Sequence, residues 1–119
     1  MFLRLKVTGR PRIYIADGNI QNKIMMIEKI DNMVGLLLNN IDLNETLICV
    51  TADHSSPLEV RDHTADPVPV VLTASNVLND DVKRYSEQSC ARGGLGRIKG
   101  TDLIHIIMDL IGKTKKFGA

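Results

Sequence analysis

The nearly continuous apolar run "ETLICVTAD", residues 45–53, constrains the fold of this chain more than any other feature. A strand that is apolar at successive positions must be covered on both faces, and helices layered over a mostly parallel sheet supply that cover. Upstream, "FLRLKV" at residues 2–7 alternates apolar and charged at the period of a strand with one buried face. Between the two, Ile20, Ile24, Ile27, Val34 and Leu38 recur near helical spacing, with Ile30, Met33, Leu37 and Ile41 beside them. This spacing predicts an amphipathic helix with a wide apolar face, capped by Asp17 or Asn19 and stopped at "NNIDLN". Strand, helix and buried strand form a right-handed βαβ unit, so a parallel pair is expected.

Downstream, "VPVVLTAS" is a third strand in which Pro69, lacking an amide hydrogen, belongs at a start, an edge or a bulge. A short helical turn is expected near "DDVKRYSEQ". Thr101 or Asp102 is placed to cap a last helix whose stripe runs through Leu103, Ile106, Ile107, Leu110 and Ile111 before Gly112 and a basic tail. The fold class read from these elements is α/β, with a short, mostly parallel sheet and flanking helices.

A chain of 119 residues with 44% hydrophobic content supports one core, so residues 1–119 read as a single domain or part of one. Fifteen basic residues against fourteen acidic leave a net charge of +1, and aromatic content is 3%. Without a basic stripe or stacking platform, a nucleic-acid partner is not expected. Arg4 and Lys6 interrupt the apolar start, so neither a signal peptide nor a membrane span is drawn there, and a cytoplasmic location is the default. Cys49 and Cys90 have no metal-binding spacing and read as reduced thiols.

Chemistry concentrates in "TADHSSPLEVRDHTADPVPV", residues 51–70, directly after the buried strand. Ligands of α/β sheets gather at the carboxyl ends of strands, where loops converge on a rigid frame. Asp53 and His54 stand there, and the break at Ser55, Ser56 and Pro57 lets the chain leave extended geometry. His63 follows nine residues after His54, between Asp62 and Thr64, with Asp66 beyond. Imidazole nitrogen with carboxylate oxygen suits manganese, zinc or iron better than calcium. The competing reading is a loop whose aspartates cap turns and whose histidines are solvated. His105 falls off the stripe of the last helix and reads as a surface histidine. "GGLGRIKG" lacks the spacing of a phosphate loop and reads as turn chemistry, although Arg92, Arg97 and Lys99 are available to an anion. Met25 and Met26 read as packing, and "KTKK" as a solvated tail complementing the helix dipole.

The segments "KIMMIEKIDNMVG", "TADHSSP", "DHTADPVPV" and "DDVKRYSEQSCARGGLGRIKGTDL" together resemble the carboxy-terminal part of cofactor-independent phosphoglycerate mutase of the archaeal type. The resemblance runs in order from about Asn19 to the end. It implies an alkaline-phosphatase-like fold, three-layered and here incomplete. The implied activity is interconversion of 3-phosphoglycerate and 2-phosphoglycerate in glycolysis through a phosphoserine enzyme. The implied cofactor is a pair of divalent ions, manganese first, with zinc, cobalt and magnesium as alternatives. Mapped onto this sequence, Asp53 and His54 would ligate the ion that activates the serine, and His63 the other ion.

Two departures qualify the match. The serine nucleophile and the first-strand aspartate ligand of the resembled family have no counterpart in this chain, so no catalytic residue is assigned. In "TGRPRIYIADGN", Gly9 stands where that family places an aspartate and Ala16 where it places a histidine, with spacing three residues too long. The resemblance therefore implies a metal-binding fragment, inactive alone. Its sheet would keep an edge able to pair with a second copy or with an amino-terminal part. A noncatalytic binding module, or a fragment of another phosphatase or sulfatase of the same superfamily, are the alternatives.

Overall fold

The structure, a computed structural model, describes residues 19–115. These residues form two compact units, one of residues 19–42 and 53–68, the other of residues 43–52 and 69–115. The expected strand at residues 2–7, the altered loop at 8–18 and Asp17 as a cap lie outside the described residues.

The first unit contains helix α1 (Ile20–Asn40) and the polar loop 53–68. Asn19 caps α1: its side-chain oxygen accepts from the Asn22 amide at 3.1 Å, satisfying one of the amides that the first turn leaves unpaired. At the other end Asn40 donates from Nδ2 to the Leu36 carbonyl at 2.8 Å, and Ile41 is already extended, so the helix stops within "NNIDLN" as expected. The apolar face is rotated from the expected line. Met26, Ile30, Met33, Leu37 and Ile41 are half-buried, as is Val34 of the expected line, whereas its other members Ile20, Ile24, Ile27 and Leu38 remain exposed. The wide face has two edges, and only one of them gains cover in this unit.

In the second unit, strands β1 (Ile48–Val50) and β2 (Val71–Thr73) pair antiparallel, Ile48 opposite Thr73, Cys49 opposite Leu72 and Val50 opposite Val71. The described sheet is antiparallel, while the parallel pair expected between residues 2–7 and 45–53 needs a strand that lies outside the described residues. A parallel pair needs a crossover that carries the chain back to the same end, most often on a helix. The excursion from 51 to 70 contains no helix, and the chain returns in the opposite sense. β1 is shorter than the apolar run, and its residues are half-buried rather than covered on both faces. Pro69 stands just ahead of β2, where a missing amide costs no ladder bond.

Two helices complete the unit. The short α2 (Glu87–Cys90) starts at Ser86, whose Oγ accepts from the Ser89 amide at 3.2 Å. α3 (Gly100–Leu110) begins before the expected caps: Thr101 and Asp102 are inside it, and the Asp102 carboxylate reaches back to accept from the Lys99 amide at 3.0 Å. Its stripe packs as expected, with Leu103, Ile106 and Leu110 half-buried and Ile107 buried at 9% exposure, although Ile111 at 37% lies at the rim. The helix ends in paired reverse bonds: the Gly112 amide donates to Asp109 at 2.9 Å and the Lys113 amide to Met108 at 2.8 Å. Gly112 has φ +70°, the left-handed conformation this ending requires and glycine adopts without strain.

Candidate metal centre

The loop after β1 is organised by one antiparallel bridge. Ser55 and Thr64 pair across it, the Thr64 amide donating to the Ser55 carbonyl at 3.0 Å. Between them the chain turns through Pro57 and Arg61, where the Arg61 amide donates to the Pro57 carbonyl at 3.0 Å and Arg61 adopts φ 55°. A pairing of residues nine apart brings their neighbours together as well, so His54 and His63 meet on either side of the bridge. Their ring centroids are 3.5 Å apart, with the planes tilted by 46°.

Each imidazole is held through the same nitrogen. Asp53 Oδ1 lies 3.3 Å from His54 Nδ1 and also accepts from the His54 amide at 3.0 Å. Ser56 Oγ and His63 Nδ1 are hydrogen-bonded at 3.1 Å, while the His63 amide donates to Asp62 Oδ1 at 2.8 Å. With Nδ1 occupied on both rings, Nε2 is the nitrogen left to face a ligand. His54 is half-buried, and Asp53 and His63 are exposed. Asp66 is exposed and bonded within the loop: its Oδ2 accepts from Thr64 Oγ1 at 2.6 Å and its carbonyl from Ser55 Oγ at 3.4 Å. Lys23 of α1 donates from Nζ to the Ser56 carbonyl at 2.9 Å, tying the helix to the loop.

Sequence reasoning singled out Asp53, His54 and His63, and the structure brings them together in one loop. It did not single out Ser56 or Lys23, because a serine before proline carries only a turn signal and a helix lysine only a solvated one. The donor set is of the right kind for a divalent transition metal, imidazole nitrogen with carboxylate oxygen. Its number is short: among the described residues no three of His, Cys, Asp and Glu converge as a metal-binding group.

The remaining candidates resolve differently. His105 is exposed on α3. The glycine segment is a turn clasped by Asp80, whose Oδ2 accepts from the Gly94 amide at 2.7 Å and Oδ1 from the Val82 amide at 2.9 Å. Those bonds hold the Asp80 carboxyl below its ordinary range. A cleft of about 300 Å³ in the second unit is lined by Leu43, Glu45, Ala74, Asn76 and Leu110, and none of the three candidate ligands lines it. No helix among the described residues is long and apolar enough to cross a membrane.

Comparison with known proteins gives this geometry a family. A model of the Metalloenzyme superfamily matches residues 15–110. The 2,3-bisphosphoglycerate-independent phosphoglycerate mutase of Thermococcus kodakarensis is 47% identical over 103 residues, covering 87% of this chain and 25% of that protein. The enzyme of the same name from Methanopyrus kandleri is 49% identical over 104 residues, with the same two coverages. A solved structure of a Pyrococcus horikoshii protein superposes with a TM-score of 0.86 at 42% identity, over 92% of this chain and 33% of that one. The chain spans about a quarter of the length of the curated relatives it matches. By the family model that spans most of its length, the chain belongs to the Metalloenzyme superfamily.

Proposed function

We propose that residues 1–119 form the carboxy-terminal, metal-binding portion of a cofactor-independent phosphoglycerate mutase, which interconverts 3-phosphoglycerate and 2-phosphoglycerate in glycolysis through a phosphoserine. The meeting of His54 and His63 across the Ser55–Thr64 bridge supports this reading most strongly, since it gathers two imidazoles and the Asp53 carboxylate in one loop. Asp53 and His54 serve one divalent ion and His63 a neighbouring one. Manganese is the leading candidate, with zinc, cobalt and magnesium as alternatives. When bound, such ions neutralise phosphoryl oxygens and lower the pKa of a bound hydroxyl.

The chain's own residues supply binding and orientation. Asp53 Oδ1 steadies His54, which leaves Oδ2 for an ion, and His63 is presented from the opposite side of the bridge. A catalytic centre usually has three protein ligands and an open position, so these residues constitute part of a centre. The rest comes from elsewhere in the protein family's length, as do the serine nucleophile and the parallel strands of a three-layer sheet. The 119-residue chain alone binds metal weakly and turns over no substrate, and the complete enzyme works in the cytoplasm.

The test is a mutase assay with 3-phosphoglycerate and manganese, on the chain alone and co-expressed with the amino-terminal three-quarters of the Thermococcus kodakarensis relative. No turnover alone, and turnover with the complement that His54→Ala abolishes, is the expected result. Turnover by the chain alone would contradict its assignment as part of a centre. Silence of a folded, associated pair would point instead to a noncatalytic module that kept the fold.

A further inference from the structure

We propose that Ser56 is a positioning residue that fixes His63 as the Nδ1–H tautomer and thereby presents Nε2 to a divalent ion; this rests on the metal-binding reading above. The Ser56 hydroxyl is 3.1 Å from His63 Nδ1, so in a neutral ring the proton on that nitrogen decides what the other can do. If Ser56 donates, the proton sits on Nε2 and the outward nitrogen has no lone pair for a metal. If Ser56 accepts, Nδ1 carries the proton and Nε2 is bare. Only the second arrangement makes His63 a ligand, and it is the arrangement that outer partners of metal-bound histidines impose.

Ser56 is itself immobilised in a way that suits this task. Its carbonyl accepts from Lys23 Nζ at 2.9 Å, which anchors it to α1, and the preceding residue is locked in the bridge to Thr64. The backbone of Ser56 is therefore held by α1 and the bridge, while its hydroxyl faces the ring. His54 follows the same design with a carboxylate, Asp53 Oδ1 at 3.3 Å from Nδ1. On both rings Nδ1 is the nitrogen with a partner close by, a carboxylate oxygen at His54 and a hydroxyl at His63.

Long-range ¹H–¹⁵N NMR of the histidine side chains reads the tautomer directly in the metal-free 119-residue chain, at a pH where His63 is neutral. The wild type is expected to show Nδ1–H at His63, Ser56→Ala to lose that preference, and Ser56→Thr, which keeps the hydroxyl, to restore it. An unchanged backbone amide spectrum identifies Ser56→Ala as folded; if it is altered, wild type against Ser56→Thr decides. Manganese affinity is expected to fall about 10- to 100-fold in Ser56→Ala and recover in Ser56→Thr. Nε2–H at His63 in the wild type, or a tautomer indifferent to the alanine substitution in the folded chain, would overturn the inference. A chain with the expected tautomer that binds no manganese would instead refute the proposed function and leave the role of Ser56 in orienting the ring intact.

Discussion

Tyr85 shows how a single residue couples to its surroundings. Its hydroxyl donates to the Pro69 carbonyl at 3.2 Å, beside β2, and burial is the main reason its pKa is pushed up to about 12, with Cys90, Cys49 and Glu87 adding unfavourable negative charge. The folded state thus favours the neutral phenol. Below the ordinary value of 10.0 this contribution to stability is complete; as pH rises from there to about 12, the unfolded chain ionises first and the contribution is lost. Thermal unfolding midpoints measured across that window should fall more steeply for the wild type than for Tyr85→Phe, and parallel curves would exclude the effect. None of this coupling was legible in the sequence, where Tyr85 stands in a polar segment. Asp53, His54 and His63 were legible as a group, because their residue types announce the same chemistry. Their contact was not, because it depends on a two-residue bridge that carries no periodic signal.

At the scale of elements, helices were read better than strands. α1 and α3 repeat their apolar residues over several turns, and their ends carry local signals: Asn19 accepts the first amide bond, and Gly112 takes the left-handed ending. β1 and β2 are three residues each, too short for alternation to show, and their direction was set by the excursion between them rather than by their own composition. The rotation of α1 was equally hidden, since a face wide enough for two lines of contact does not say which line is used. α3 carries Ile107, the most deeply buried apolar residue among those described. Ile107→Ala removes packed methyl groups and leaves a cavity, which costs about 2–5 kcal/mol. Urea unfolding should show a lowered midpoint and an unfolding free energy reduced by that amount. A change below about 0.5 kcal/mol, the range of ordinary surface substitutions, would mean that α3 does not anchor its unit.

Across the whole molecule, the described residues leave much apolar surface exposed. Ile20 and Ile27 on α1 are each 57% exposed, and Leu36 is 66% exposed, while the described residues bury little completely. Exposed apolar surface of this kind suits the association with an amino-terminal part or a second copy proposed above. The candidate centre has the same partial character, with two imidazoles and a carboxylate where a complete site needs more. The most direct test is a manganese titration of the 119-residue chain followed by paramagnetic broadening of the histidine side-chain NMR signals. The account predicts weak, saturable binding, with a Kd on the order of 1 mM, that broadens His54 and His63 together, and weaker binding in His54→Ala, which removes a ligand of one ion and leaves His63 to the other. Broadening that leaves both rings untouched, or binding as tight in His54→Ala as in the wild type, would contradict it.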